Sequence, residues 1–247
     1  MAEAKTQSKK IRIAAVGDIH VKEHFRGEYQ RLFSEISEKA DILVLCGDLT
    51  DLGLPTEAKL LAEDLRSCRI PVVGVLGNHD YQSDQPQEVR RILEENSNVC
   101  ILEEEAQVVN GIGFAGVKGF VGGFDALALG PFGEPELKMI VKERDNQAFA
   151  LENQLRQIPQ VEKKVVILHY APIRATVADE PADIMPFLGS TRYEQIIDQY
   201  GASVVFHGHA NGGPHEGKTK TGIPVFNVAM PLMEKLNEKQ PYKIYEL

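Results

Sequence analysis

Cysteine is scarce in this sequence, with three residues in 247: Cys46, Cys68 and Cys100. The odd number, the lack of a C-x-x-C pair and the apolar setting of Cys46 in "DILVLCGD" argue against a disulfide framework and point to reduced, structural thiols. Long apolar runs are missing too. None approaches the roughly 18–20 residues that a membrane helix needs. The start is polar and lysine-bearing with no apolar stretch after it, so no signal peptide is visible, and residues 1–10 are expected to fray. Positive charge is in short supply: 27 lysines and arginines face 36 aspartates and glutamates, a net charge of −9 with a pI near 5.3. Such a field repels phosphate backbones and argues against non-specific nucleic-acid binding. A soluble, cytoplasmic protein without a membrane partner is expected; nothing in the sequence fixes an oligomeric state. There is also no G-x-x-x-x-G-K-[ST] loop, no G-x-S-x-G elbow, and no cysteine set to make the histidines a zinc finger.

What is present is a repeated grammar. "KKIRIAAVGDIH", "DILVLCGDLT" and "PVVGVLGNHD" are apolar runs ending in polar residues. Each is followed by a helical pattern: "YQRLFSEISEKA", "PTEAKLLAEDLRSCR" and "PQEVRRILEEN". Strands apolar on both faces and alternating with helices predict βαβ units and a parallel sheet. Beyond Val99 the runs shorten to "VCIL", "AQVV" and "IGFAGV", with a hairpin signal at Asn110-Gly111. A helix is read over "DNQAFALENQLRQI" and another over "STRYEQIIDQYG". Strands are read at "KKVVILHY", "ASVVFHGH", "GIPVFNVA" and "YKIYEL". The expectation is an α/β protein with a parallel half and a more antiparallel half, folded as one domain over 11–247. "GIPVFNVAMPLM" is read as core. Two stretches, 118–136 and 171–190, are long, rich in glycine or proline, and unassigned; loops of that length are commonly functional, and both are candidate lids.

Five of the apolar strands end in cation-binding side chains: Asp18 and His20; Asp48; Asn78, His79 and Asp80; His169; and His207, His209 and Asn211. Open α/β sheets bind ligands beyond the carboxyl ends of their strands. Singly, each ending is an ordinary turn or cap. Together they aim five strands' worth of ligands at one sheet edge.

The set D-x-H, G-D, G-N-H-D, a lone H and G-H-x-H, in that order from Ile11 to Asn211, resembles the calcineurin-like metallophosphoesterases. The resemblance implies a two-sheet αββα sandwich and two divalent cations. It implies that Asp18 and His20 hold the first, that Asp48 bridges both, and that Asn78, His169 and His209 hold the second. His79 would stand by the leaving group, oriented by Asp80. Two cations about 3.5–4 Å apart need a shared anionic ligand, which a carboxylate supplies, and a hydroxide bridging them is a nucleophile at neutral pH. Mixed Asp, His and Asn donors without thiolate suit Mn first, with Fe, Zn, Ni and Co also admissible. The expected activity is hydrolysis of a phosphate ester, a diester (a small or cyclic nucleotide, or a nucleic-acid end) ahead of a monoester. The reason is that the motif-bearing loops offer few cations: Lys22, Arg26, Lys118 and Arg174.

One position departs from the pattern. The second histidine of G-H-x-H is Asn211, whose carbonyl is a poorer ligand, so the first cation should be bound more weakly; a mostly empty first site and a deliberately introduced substitution are the alternatives. Arg174 and His207 are the candidates for contacting substrate. Their plain alternatives are a solvated loop arginine and a histidine that supports the ligands from behind, on the strand face it shares with His209. The competing reading is an impaired relative serving as a binding or scaffold protein, for which Asn211 alone speaks.

Overall fold

The computed structural model describes residues 10–237 and 239–247, so the expected frayed start lies, but for Lys10, outside the described residues. The first half alternates strands and helices as read: β1 (Arg12–Val16), α1 (Gln30–Lys39), β2 (Ile42–Cys46), α2 (Pro55–Leu65), β3 (Val72–Val75), α3 (Pro86–Asn96) and β4 (Val99–Ile101). β5 (Gln107–Val109) and β6 (Ile112–Val117) form the hairpin, with Asn110 and Gly111 at φ 52° and 78°. That is the left-handed turn which Asn-Gly favours. There follow α4 (Pro135–Gln157), β7 (Lys164–Leu168), the short α5 (Met185–Leu188), α6 (Thr191–Tyr200), β8 (Val204–His207), β9 (Glu216–Lys218), β10 (Pro224–Asn227), α7 (Met230–Leu236) and β11 (Lys243–Glu246).

The strands form two sheets, ordered β11-β1-β2-β3-β4 and β5-β6-β7-β8-β10-β9. β1 to β4 run parallel, and so do β6, β7, β8 and β10; β11, β5 and β9 are antiparallel edges. The expected antiparallel half is therefore corrected: only its borders are antiparallel. The cause is the α4 and α6 crossovers, which return the chain to the same edge. Two further elements depart from the sequence reading. α4 begins at Pro135, ten residues before the periodic stretch that announced it, and the apolar run read as core runs into the first turn of α7, with Met230, Leu232 and Met233 buried.

Strand alternation sorts the side chains into layers. Ile13, Ala15, Val44 and Val75 face Phe114, Val165, Ile167 and Phe206 between the sheets. Ala14, Leu43 and Leu45 turn outward onto Phe33, Ile36, Leu61 and Leu93 of the first helices, while Val166, Leu168 and Val205 pack on Leu151, Leu155 and Ile197. The product is the αββα sandwich. Each fully buried large apolar side chain contributes about 1.5–3 kcal/mol, and because both faces of the central strands are covered, the polar groups at their ends collect at the rim.

Candidate functional site

β1, β2, β3, β7 and β8 deliver the motif residues at their carboxyl ends. The exits of β1 and β2 stay tied beyond the strands, through Asp18 N to Gly47 O (2.9 Å), His20 N to Asp48 O (3.0 Å) and Val21 N to Leu49 O (3.1 Å). Asp18, His20, Asp48 and His209 all have positive φ, between 48° and 69°. Such backbone is costly for non-glycine residues and is held only where surrounding structure over-determines it. Two glycines permit the close approach: a Cβ on Gly77 would collide with the Asp48 carboxylate and one on Gly208 with that of Asp18.

Asp48 lies at the centre. Its Oδ1 accepts from His79 N (2.8 Å) and stands 3.3 Å from His169 Nε2, while Oδ2 lies 3.8 Å from His20 Nε2. Ligand atoms of Asp18, His20 and Asp48 lie within 4.8 Å of one another, and so do those of Asp48, His169 and His209; a third such group is His20, Asp51 and His79. Asn78 Oδ1 is 2.9 Å from His169 Nε2.

Main-chain carbonyls fix the histidine tautomers, since a carbonyl only accepts. His169 Nδ1 donates to Cys46 O (2.9 Å), His79 Nδ1 to Asp51 O (2.6 Å) and His209 Nε2 to Phe187 O (3.1 Å). The opposite ring nitrogens are left for a ligand. At His169 that nitrogen faces two acceptors, Asn78 Oδ1 and Asp48 Oδ1, an arrangement that needs either a second proton or a cation between them. Without a cation the proton is held: burial opposes it, but the Asp48 carboxylate raises His169 to about 9. Asp48 itself sits below the usual carboxylate range; burial works against this and His169 prevails. Burial pushes Asp18 up to about 7, with His169 opposing and Asp48 adding to the rise, and it lowers His209 to about 3, helped by His169. His20, also lowered by burial, has an Nδ1 that is buried without a hydrogen bond. A desolvated carboxylate pair, with His20 and His209 held toward the neutral form by burial, fits a pair of divalent cations; the His20 Nδ1 lies instead 3.5 Å from Asp51 Oδ1.

Three sequence expectations change. Asp80 does not orient His79: fully buried, its carboxylate accepts from Leu49 N (3.2 Å), Thr50 N (2.8 Å), Thr50 Oγ1 (2.6 Å) and Gly77 N (2.8 Å), clamping the exits of β2 and β3. Burial and neighbouring Asp48 raise its carboxyl. His207 is fully buried, with Nε2 on Thr176 Oγ1 and Nδ1 on Gly208 O, both at 2.8 Å, so neither nitrogen is available to substrate. Because β8 ends at His207 and His209 is left-handed, the two do not share a strand face. Arg174 is exposed and lines a cavity of about 130 Å³ with Phe124, Leu127 and Met185, between the two unassigned loops. Those loops are bonded to each other, through Gly122 N to Pro186 O and Gly123 N to Gly189 O, both 2.8 Å. Asn211 is exposed; its main-chain oxygen accepts from Lys235 Nζ (3.0 Å), and its side chain makes no hydrogen bond among the described residues.

Sequence reasoning missed Asp51, the carbonyls of Cys46 and Phe187, and Asn227, which is fully buried and donates from Nδ2 to Ala210 O at 2.9 Å to hold the turn around His209. A second polar residue three positions past Gly-Asp was the available signal for Asp51. Carbonyl contacts leave none.

Comparison with known proteins gives the family and the fold. The family model described as calcineurin-like phosphoesterase matches residues 11–211. A curated protein of Arcobacter nitrofigilis, named "Probable glycerophosphodiester phosphodiesterase GpdQ", is 22% identical over 204 residues, covering 76% of this chain and 67% of its own. Among solved structures, phosphopantetheinyl hydrolase from Mycobacterium tuberculosis superposes with a TM-score of 0.70 at 15% identity, covering 96% of both chains. GAP50, described as the anchor in the inner membrane complex of Plasmodium, has a TM-score of 0.54 at 13% identity, covering 90% of this chain and 72% of its own.

Proposed function

The chain belongs to the calcineurin-like phosphoesterase family, and from that premise we infer that it is a phosphodiesterase dependent on two divalent cations, manganese foremost. The observation that carries this reading is the division of Asp48, with one oxygen toward His169 and the other toward His20. Asp18 and His20 would complete one cation's ligands; Asn78, His169 and His209 would complete the other's. When bound, the cations supply an activated water and offset charge on the phosphoryl group. His79 donates its Nδ1 proton to Asp51 O, so its Nε2 would have to carry a second proton, as imidazolium, to serve as the candidate donor to the departing oxygen. Support for a diester comes from the name of the curated relative and from charge. Of the four cations in the motif-bearing loops, Arg26 and Arg174 are exposed and Lys22 is half-buried on the loop after the first motif, while Lys118 alone is enclosed by aromatic rings beside the motif turns. One fixed cation suits the single charge of a diester better than a dianion.

The test is hydrolysis of an aryl phosphodiester and the matching monoester across a manganese titration. Metal-dependent turnover with the diester ahead is expected. Turnover of neither ester at saturating metal, in a folded protein, would overturn the reading and favour the binding role that the exposed Asn211 leaves open.

A further inference from the structure

Lys118 is a cation beside the site that the family motifs leave unexplained. It follows β6 directly and lies in register with the end of β7: its carbonyl accepts from both His169 N and Tyr170 N at 3.1 Å. Its ammonium stands 5.0 Å from the ring centre of Tyr81, 4.8 Å from that of Phe120 and 5.5 Å from that of Tyr170. Two of these rings follow Asp80 and His169 in the chain, so the turns that present the ligands also build the cage.

The cage leaves hydrogen-bonding capacity unspent. An ammonium has three N–H donors, and the only hydrogen bond from Lys118 Nζ among the described residues is one of 3.2 Å to the carbonyl of its neighbour Gly119. No carboxylate pairs with it there; Glu143 and Asp48 act on it only through longer-range charge. Ring faces stabilise a cation electrostatically but offer no lone pairs in its plane of donation. A half-buried ammonium with donors to spare, pinned by aromatic walls at the rim of an anion-handling site, is prepared for an oxygen that arrives with the ligand.

The surroundings indicate from which side. Behind Lys118 and Tyr81 lies a cavity of about 260 Å³ lined also by Glu103, Glu104, Glu143 and Arg90. Arg90 is already paired with Glu94 and Glu103. That cavity, which Lys118 itself lines, carries three carboxylates against one paired arginine, so an anion is less favoured there than at a cation-loaded Asp48 centre, whose carboxylate is near enough to act on the ammonium. The geometry points to Lys118 as a substrate-binding residue, whose ammonium donates to a non-bridging phosphoryl oxygen of the ester held at the Asp48 centre. The assignment rests on the phosphoesterase reading and adds to it a cation outside the motif set. A diester carries its one negative charge on the non-bridging oxygens, which is where Lys118 acts.

Inorganic phosphate is the probe that tests this without turnover. Phosphate titrated into manganese-loaded protein should bind about tenfold or more weakly to Lys118→Met than to the wild type, with manganese affinity unchanged and Lys118→Arg recovering part of the loss. Lys118→Gln replaces the Met variant should that one not fold. On an aryl phosphodiester, kcat/KM should fall by a similar factor. Phosphate affinity within twofold of wild type in the charge-free variant would overturn the assignment and reduce Lys118 to a packing residue. Absence of turnover in the wild type would instead sink the phosphoesterase reading, while the phosphate titration still decides the role of Lys118.

Discussion

At Asp48 a single carboxylate is asked to serve two neighbours, and its conformation shows the strain: φ is 49°, the side chain is buried, and Gly77 must lack a Cβ to let it in. The same left-handed backbone recurs at Asp18, His20 and His209, residue types whose short or planar side chains tolerate it better than branched ones. Asn211 is where the residue set is weakest. Replacing it by histidine should lower the metal concentration for half-maximal activity, by roughly tenfold for zinc or iron and by less for manganese, because imidazole nitrogen suits the former better than an amide carbonyl does; an unchanged metal titration would show that Asn211 does not reach the cation. Much of this level was legible in the chain. Asp18, His20, Asp48, Asn78, His169 and His209 could be read because each is a polar residue closing an apolar run. What fixes their protons could not: Cys46 O, Asp51 O and Phe187 O are backbone atoms, and every residue has one. Lys118 was visible only as one cation among four, since its distinction is a cage assembled from three separate segments.

Among the elements, what matters is how strand exits are held once the ladder stops. Asp80 does this for β2 and β3, accepting four hydrogen bonds from Leu49, Thr50 and Gly77. Its removal leaves buried donors without partners, at roughly 1–3 kcal/mol each. Asp80→Ala should therefore cost about 3 kcal/mol or more of stability, seen as a lower urea midpoint, whereas a variant that lost activity at unchanged stability would restore Asp80 to a direct part in the chemistry. The alternating units of the first half were readable from period alone, down to α3 at Pro86–Asn96. α4 was not, because half of its first ten residues are charged and its opening runs on from the glycine-rich stretch left unassigned to 136, so the periodic pattern was read only from Asp145. α7 was hidden in the opposite way: Met230-Pro231-Leu232-Met233 continues an apolar strand without a polar break. Short runs around Asn110-Gly111 suggested antiparallel pairing, but a hairpin at a sheet's edge says nothing about its centre.

For the molecule as a whole, two parallel-centred sheets bring their carboxyl edges to one rim, and the charge stored there couples stability to pH. In the metal-free protein His169 is raised from 6.5 to about 9, burial opposing and Asp48 prevailing; Asp18, Asn78 and His209 also face it. A proton held more tightly in the folded chain contributes stability that is complete below about pH 6.5 and is lost as pH rises through about 9. Asp18, raised to about 7 by burial, acts in the same direction below that point. His207 and His209, lowered by burial to about 4 and about 3, weaken the fold only as pH falls below 6.5. Lys118, lowered to about 8 by burial, adds stability above that pH and opposes His169 there; the Tm in chelator should accordingly drop between pH 7 and 8, and the rise in Tm on adding manganese should grow over that range, as cations take the place of the proton. A Tm in chelator that stays level would contradict the His169–Asp48 pairing. The same fold matches both a named hydrolase and a named anchor, so the centre itself has to decide. The direct measurement is calorimetric titration of manganese into the wild type and into Asp48→Asn, each checked for folding. Two ions per wild-type chain, with both sites weakened at least tenfold in the variant, is the expected result, since Asp48 is shared; two ions bound undiminished by folded Asp48→Asn, or none bound by the wild type, would contradict the account.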